Sequence, residues 1–434
     1  MTDKSVFSPR ILRPEDANQN WQWDRALASP GFKQVDFETR VDFQRLRKYR
    51  LSRAKNALKN SGLGALILFD VNNIRYITGT KIGEWERDKL CRFALLAGDE
   101  EPFVWDFGSA AVHHQLNCDW LDPNRCLAGM TGMRGTVPPS VGLMKSHAEE
   151  IMSYLKQAGV ADMPIGLDIA ETAMFFELQN AGMNIVDGQQ VMLDAREIKN
   201  IDEITLLNQA ATMVDGVYHM IYEELKPGVR ENDIVALSNQ MLYEMGSDDV
   251  EAINAISGER CSPHPHNFTD RMFRPGDQAF FDILQSYQGY RTCYYRTFNV
   301  GTATSEQNDA YIQCREWLDK AIELIKPGVS TDVVAKAWPK AEEFGFESEM
   351  QAFGLQFGHG LGLALHERPI ISRLVSLENP MEIKTGMVFA LETYCPAKDG
   401  VSAARIEEEV VVTDQGCKVI SLFPADELPI ANRY

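Results

Sequence analysis

The chain has 434 residues, with 62 acidic against 43 basic side chains, a net charge of −19 and 44% hydrophobic residues. That length suits about two or three domains, and the apolar content excludes a wholly disordered chain. With 31 Gly, 19 Pro and 8 Cys it is neither collagen-like nor a disulfide scaffold, and its acidity argues against nonspecific binding to nucleic acid or an anionic membrane.

Residues 1–38, Pro- and Asn-containing, read as an irregular N-terminal extension. Their polar start has no apolar signal core, and no stretch of the chain approaches the roughly 20 apolar residues of a membrane span, so a cytoplasmic address is expected. From Val41 to Ser61 the apolar positions Phe43, Leu46, Tyr49, Leu51, Ala54 and Leu58 predict an amphipathic helix. Gly62-Leu63-Gly64 stops it, and Ala65-Leu66-Ile67-Leu68-Phe69 suits a buried strand. Helix then strand recurs at His147–Ala158 and Pro164–Leu167, so residues 39–196 are expected to form a smaller α/β domain. The cysteines form no Cys-x-x-Cys pair and read mostly as buried small hydrophobes.

Residues 197–434 carry an internal echo. Leu225-Lys226-Pro227-Gly228-Val229 and Ile325-Lys326-Pro327-Gly328-Val329 each follow a helical pattern, Thr205–Glu224 and Gln307–Leu324. Each precedes a second one, Glu231–Met245 and Thr331–Phe344. Two helix, turn, helix units predict a pseudo-twofold domain. Strands are expected at Gln278–Leu284, Thr292–Val300, Met387–Thr393 and Ile406–Val412, giving helices over a curved, largely antiparallel sheet.

Chemistry concentrates on those strands. Asp282 ends the apolar run Ala279-Phe280-Phe281, and Glu392 ends Gly386–Leu391. Glu407 opens Glu407-Glu408-Glu409, where alternation puts Glu407 and Glu409 on one face and Glu408 on the other. His359 lies in Phe357-Gly358-His359-Gly360-Leu361-Gly362, whose glycines are expected to let the backbone approach a ligand. Buried acids need partners. Either each meets an arginine such as Arg296 or Arg405, or three carboxylates and an imidazole hold Mn, Fe, Co or Zn.

These residues, with Tyr295-Arg296-Thr297, His366-Glu367-Arg368-Pro369, Gly386-Met387-Val388 and Arg405-Ile406-Glu407, resemble the creatinase, prolidase and aminopeptidase P family (M24), over about residues 40–430. The resemblance implies an α/β (α+β) chain: a pita-bread catalytic domain with pseudo-twofold helix–strand repeats, preceded by a creatinase-type N-terminal domain. Of the family's five metal ligands, Asp282, His359, Glu392 and Glu407 match four. The fifth, an aspartate eleven residues after Asp282 that bridges two metals, is replaced by Cys293. The expected cofactor is therefore one divalent metal per chain (Fe, Mn, Zn or Co), or none. The resemblance further assigns His366 and one of His264 and His266 to catalysis, and Arg405 to the substrate. Trp85 and Arg87, counted from Asn73-Ile74, would reach over the active site of a partner subunit, implying a homodimer. The likeness is nearest to creatinase and ectoine hydrolase, with Asn73-Ile74-Arg75-Tyr76 and Val104-Trp105-Asp106 similar to the dimethylsulfoniopropionate lyases. A hydrolase cleaving a C–N bond of a small molecule is expected. The alternatives are a C–S lyase, a Xaa-Pro dipeptidase and, from another class, a non-enzymatic binding module.

Overall fold

Asp42 opens the first helix of the computed structural model, which describes residues 41–83, 91–129 and 135–433. Its carboxylate accepts the Arg45 backbone N–H, and Gly62 ends α1 (Phe43–Ser61) with φ of 75°. There follow β1 (Ala65–Leu68), α2 (Val71–Thr78), β2 (Phe93–Ala97), β3 (Phe103–Asp106), α3 (Ser109–Asn117), β4 (Cys126–Ala128), α4 (Leu143–Gln157), β5 (Ile165–Leu167), α5 (Thr172–Asn180), β6 (Ile185–Asp187) and α6 (Gln189–Arg196). The six strands form one mixed sheet, ordered β4-β3-β2-β1-β5-β6. Strand β1 is buried on both faces, which is why it reads as an unbroken apolar run. Leu66 and Leu68 pack with Leu46, Ala54 and Leu58 of α1, while Ala65 and Ile67 pack with Met144, Ala148 and Ile151 of α4.

The second half runs α7 (Ile201–Glu224), α8 (Glu231–Glu244), β7 (Asp249–Ser257), β8 (Gln278–Tyr287), β9 (Tyr290–Val300), α9 (Ser305–Glu323), α10 (Thr331–Ala335), β10 (Phe357–Gly360), β11 (Glu367–Ile371), β12 (Val388–Pro396), β13 (Ala403–Val412), β14 (Cys417–Val419) and β15 (Ile430–Ala431). Two sheets result, β11-β10-β12-β13-β14 and β15-β9-β8-β7, antiparallel apart from the short β15–β9 pair. They meet where the Thr297 hydroxyl on β9 donates to the Arg405 carbonyl (2.6 Å) and accepts the Arg405 N–H (2.8 Å) on β13.

The sequence echo has a backbone counterpart. Gly228 N donates to Phe273 O and Phe273 N to Val229 O; Gly328 N donates to Ile383 O and Ile383 N to Val329 O, all at 2.8–3.0 Å. Further on, Gly276 N donates to Val300 O, as Gly386 N does to Val412 O. The two units thus share a turn and the bridged segment that returns to it. One helix falls short of expectation. The pattern from Thr331 to Phe344 breaks after Ala335 and resumes as a short 3-10 turn, Ala341–Phe344. Pro339 explains the break: it has no N–H to give and disfavours helical backbone at Trp338.

Candidate metal centre

The site lies where the two sheets meet. Asp282 on β8 sits opposite Tyr295 on β9, and Glu392 on β12 sits opposite Glu407 on β13. Strand β10 pairs Phe357 with Glu392 and so brings His359, two residues on, to the same group. Its Nε2 is 3.7 Å from Glu392 Oε1, and Cys293 Sγ is 3.5 Å from Asp282 Oδ1. Donor atoms of Cys293, His359 and Glu407 all lie within 4.8 Å of one another.

The surroundings are charged and dry. Asp282, Glu392 and Glu407 are 3%, 4% and 0% exposed. Burial pushes the pKa of all three up; at Glu407 the neighbouring Glu392 and Asp282 push it further. Burial pushes the Cys293 thiol up as well, again with Asp282 adding. His359 is driven the other way by burial, down to about 3, so it is a neutral imidazole. Its Nδ1, 3.1 Å from the Gly360 carbonyl, takes the proton and leaves the Nε2 lone pair facing the carboxylates.

Partners of the remaining acids divide the two readings. Glu392 accepts from Arg405 Nη2, and Glu408 meets Arg296 (2.8 Å) and Arg315 (2.7 Å) on the opposite face, as alternation expects. Asp282 Oδ2 accepts from Asn254 Nδ2 at 3.0 Å. Both oxygens of Glu407, by contrast, are buried without a hydrogen-bond partner among the described residues. A bare buried carboxylate is expensive, and a cation beside it removes the penalty. One sulfur, one imidazole nitrogen and one carboxylate form a donor set that suits a borderline divalent ion. The residues present therefore fit a metal.

Two models of known families match the chain: the creatinase/prolidase N-terminal domain over residues 50–198, and metallopeptidase family M24 over residues 205–414. The chain belongs to the M24 family. It is an M24-type enzyme with a creatinase-type N-terminal domain and a pita-bread catalytic domain. The probable dipeptidase PepE of Mycobacterium tuberculosis is 27% identical to it over 387 residues, covering 86% of this chain and 94% of that protein. The dimethylsulfoniopropionate lyase DddP of Roseovarius nubinhibens is 24% identical over 398 residues, covering 89% and 87%. The solved Xaa-Pro dipeptidase of Bacillus anthracis superposes with a TM-score of 0.71 at 19% identity, covering 88% of this chain and 99% of that one, a likeness of fold. No helix among the described residues is long and apolar enough to cross a membrane.

The other expected site residues of this M24 chain are distributed as follows. His366 stands beside His359, ring centroids 4.4 Å apart, with Phe357 stacked behind it. His264 and His266 lie together, rings 4.6 Å apart, and the His264 ring is 6.2 Å from that of Tyr295, which sits opposite Asp282. Their loop is tied down by Glu231, whose buried carboxylate accepts from Ser257 Oγ (2.6 Å), Arg260 Nη1, and Thr269 N and Oγ1 (both 2.8 Å). Trp85 and Arg87 lie outside the described residues.

Two expectations need correction. Arg405 is 0% exposed, and its guanidinium serves Glu392 and the Gly354 carbonyl (2.7 Å) while lying 4.3 Å over the Tyr295 ring. It is the partner of Glu392 and not a clamp open to an incoming carboxylate. The glycines around His359 make room for protein, not ligand. A Cβ at Gly360 would stand 2.2 Å from the Arg368 carbonyl, and one at Gly362 would stand 2.4 Å from the Glu367 carboxylate. Glu409 was missed as a supporting residue: its Oε1 accepts the Cys293 N–H and the Thr292 hydroxyl, both at 2.7 Å, and so fixes the backbone that carries the thiol. Asn254 was missed too, although an amide within the apolar run of β7 was a signal.

Proposed function

We propose that the chain is a hydrolase that cleaves a C–N bond of a small molecule. The observation that carries this reading is the convergence of Cys293, His359 and Glu407 on one point, with both Glu407 oxygens bare. Cys293, His359 and Glu407 would hold a divalent metal, with Asp282 and Glu392 beside it. Bound there, such an ion polarises a carbonyl and lowers the pKa of a water. The chain's own groups do the rest. Burial lowers the pKa of His366, His266 and His264, the last to about 2, so all three are neutral imidazoles able to take or pass a proton at a ring nitrogen. Arg405 holds Glu392 in place and offsets the massed carboxylates. Phe357, its ring 5.4 Å from that of His359, and Tyr295, opposite Asp282, are buried beside these residues. The reading takes residues 39–196 and 197–434 as the two domains, and a homodimer in the cytoplasm as the working form.

A second reading, lysis of a C–S bond, draws on the likeness to DddP. One experiment separates them. The purified chain is offered Xaa-Pro dipeptides, small ureides and amidines, cyclic amidines and dimethylsulfoniopropionate in 18O-labelled water. The hydrolase reading expects one labelled oxygen in the product of a C–N substrate. Release of dimethyl sulfide without label would replace it with the lyase reading.

A further inference from the structure

The Cys293 sulfur is more than a lost carboxylate. It is 5% exposed, and it stands with His359 Nε2 and a Glu407 oxygen inside a 4.8 Å circle. Its backbone N–H is held by Glu409. The acids that could have served a second ion are engaged elsewhere: Glu392 by Arg405, and one oxygen of Asp282 by Asn254. What remains is one point of convergence where the side chains offer one sulfur, one nitrogen and one bare carboxylate.

We propose that this site binds a single divalent cation per chain, with the Cys293 thiolate as one of its donors. The inference rests on the reading of these residues as a metal centre and adds which ion and how many. On binding, the S–H bond breaks, the proton leaves to solvent, and the sulfur lone pair forms the bond to the ion, with no change of oxidation state. A thiolate donor selects zinc, cobalt(II) or iron(II) over magnesium and manganese. A carboxylate at this position would offer two donor oxygens; the thiol offers one atom, within 4.8 Å of donor atoms of His359 and Glu407 and 3.5 Å from Asp282 Oδ1.

The test needs no substrate. The full-length chain is stripped with a chelator and titrated with cobalt(II), following metal content by mass spectrometry and the near-ultraviolet absorption in which thiolate electrons are promoted to cobalt. About one cobalt per chain with that band is expected. Cys293→Ser should keep its circular dichroism, lose the band and bind cobalt at least tenfold more weakly. Cys293→Asp should lose the band. Two tightly held cobalt ions in the unmodified chain, one cobalt without the band, or a band that survives Cys293→Ser overturns the proposal. Where Cys293→Ser does not fold, the unmodified chain's stoichiometry and spectrum still decide. A chain that binds one cobalt through sulfur yet incorporates no labelled oxygen from any substrate sinks the hydrolase reading and leaves this one standing.

Discussion

At Glu409 a single carboxylate supports the residue that carries the sulfur donor. Its Oε1 caps both the Cys293 N–H and the Thr292 hydroxyl. Glu409→Ala would strand both donors in a dry interior, a loss of about 1–3 kcal/mol. Metal affinity is expected to fall about 10–100-fold, the usual effect of removing a group that orients a ligand; isothermal titration of zinc checks it, and unchanged affinity would show that the Cys293 backbone is held without Glu409. His359→Ala and Glu407→Ala act on the centre itself. Each should abolish measurable turnover while circular dichroism stays near that of the unmodified chain. Near-normal kcat in either variant would move the site elsewhere. Asp282 and Glu392 stood out in the sequence because an acid at the end of an apolar strand run violates the pattern around it, and Glu407 stood out by strand alternation within an acidic run. That Arg405 could pair with a buried acid was stated from the sequence; that the acid is Glu392 was not, because Arg405 stands opposite Tyr394 and reaches Glu392 diagonally, in a register that no local rule supplies.

Among the elements, the Gly-rich strand β10 is held by what presses against it. At Gly360 a methyl group would collide with the Arg368 carbonyl, which is backbone and cannot swing aside. Gly360→Ala should therefore lower stability by about 1–3 kcal/mol, seen as a lower midpoint in thermal unfolding. Gly354→Ala, where nothing lies within 4 Å but φ is +87°, isolates the backbone penalty. The loop bearing His264 and His266 has a different anchor. Glu231→Ala would leave Arg260 and Thr269 without their shared acceptor, and proteolysis between Gly258 and Asp277 should then accelerate; an unchanged cleavage pattern would mean that Arg271, with Asp277 at 2.6 Å, is anchor enough. The helices and strands expected from periodicity are found close to their places, and the failed stretch after Ala335 shows the limit. An apolar 3.6-residue repeat was followed past Pro339, although the missing N–H was visible in the sequence.

Across the whole molecule, the two halves are fastened by charge. Arg45 on α1 grips Asp202 on α7 with two bonds of 2.7 Å, and Arg291 reaches Asn72 at 2.9 Å. Glu367 too is buried, 3% exposed, with Lys199 at 2.9 Å and Arg196 at 3.5 Å from the segment that joins the halves. Burial alone would raise the Glu367 pKa, but Lys199 and Arg196 outweigh it and hold the carboxyl below its ordinary range. Because the folded value is depressed, the stability it contributes is present above the unfolded value of about 4.3 and is lost as pH falls through the lower folded value. Glu367→Gln should lower stability at pH 7 by about 3–5 kcal/mol, since two buried cations lose their anion. It should also flatten the decline below about pH 4.3. Urea unfolding at pH 7 and at pH 4 reads both; an acid limb as steep as before would assign the decline to other carboxyls. None of this was visible in the motif His366-Glu367-Arg368-Pro369, where Glu367 reads as a neighbour of chemistry and turns out to be a rivet.

The matched turns at Gly228 and Gly328 carry one more consequence. Following their strands with Val300 and Val412 as mates makes Asp282 the counterpart of Glu392, Tyr295 that of Glu407, and Cys293 that of Arg405. At the axis itself, two identical halves related by a twofold can place no net field perpendicular to that axis. These halves have diverged at the seam: one side offers a polarizable sulfur and a phenol, the other a fixed positive charge and a carboxylate. The resulting polarity has a direction, and a substrate bond lying across the seam has a preferred way round.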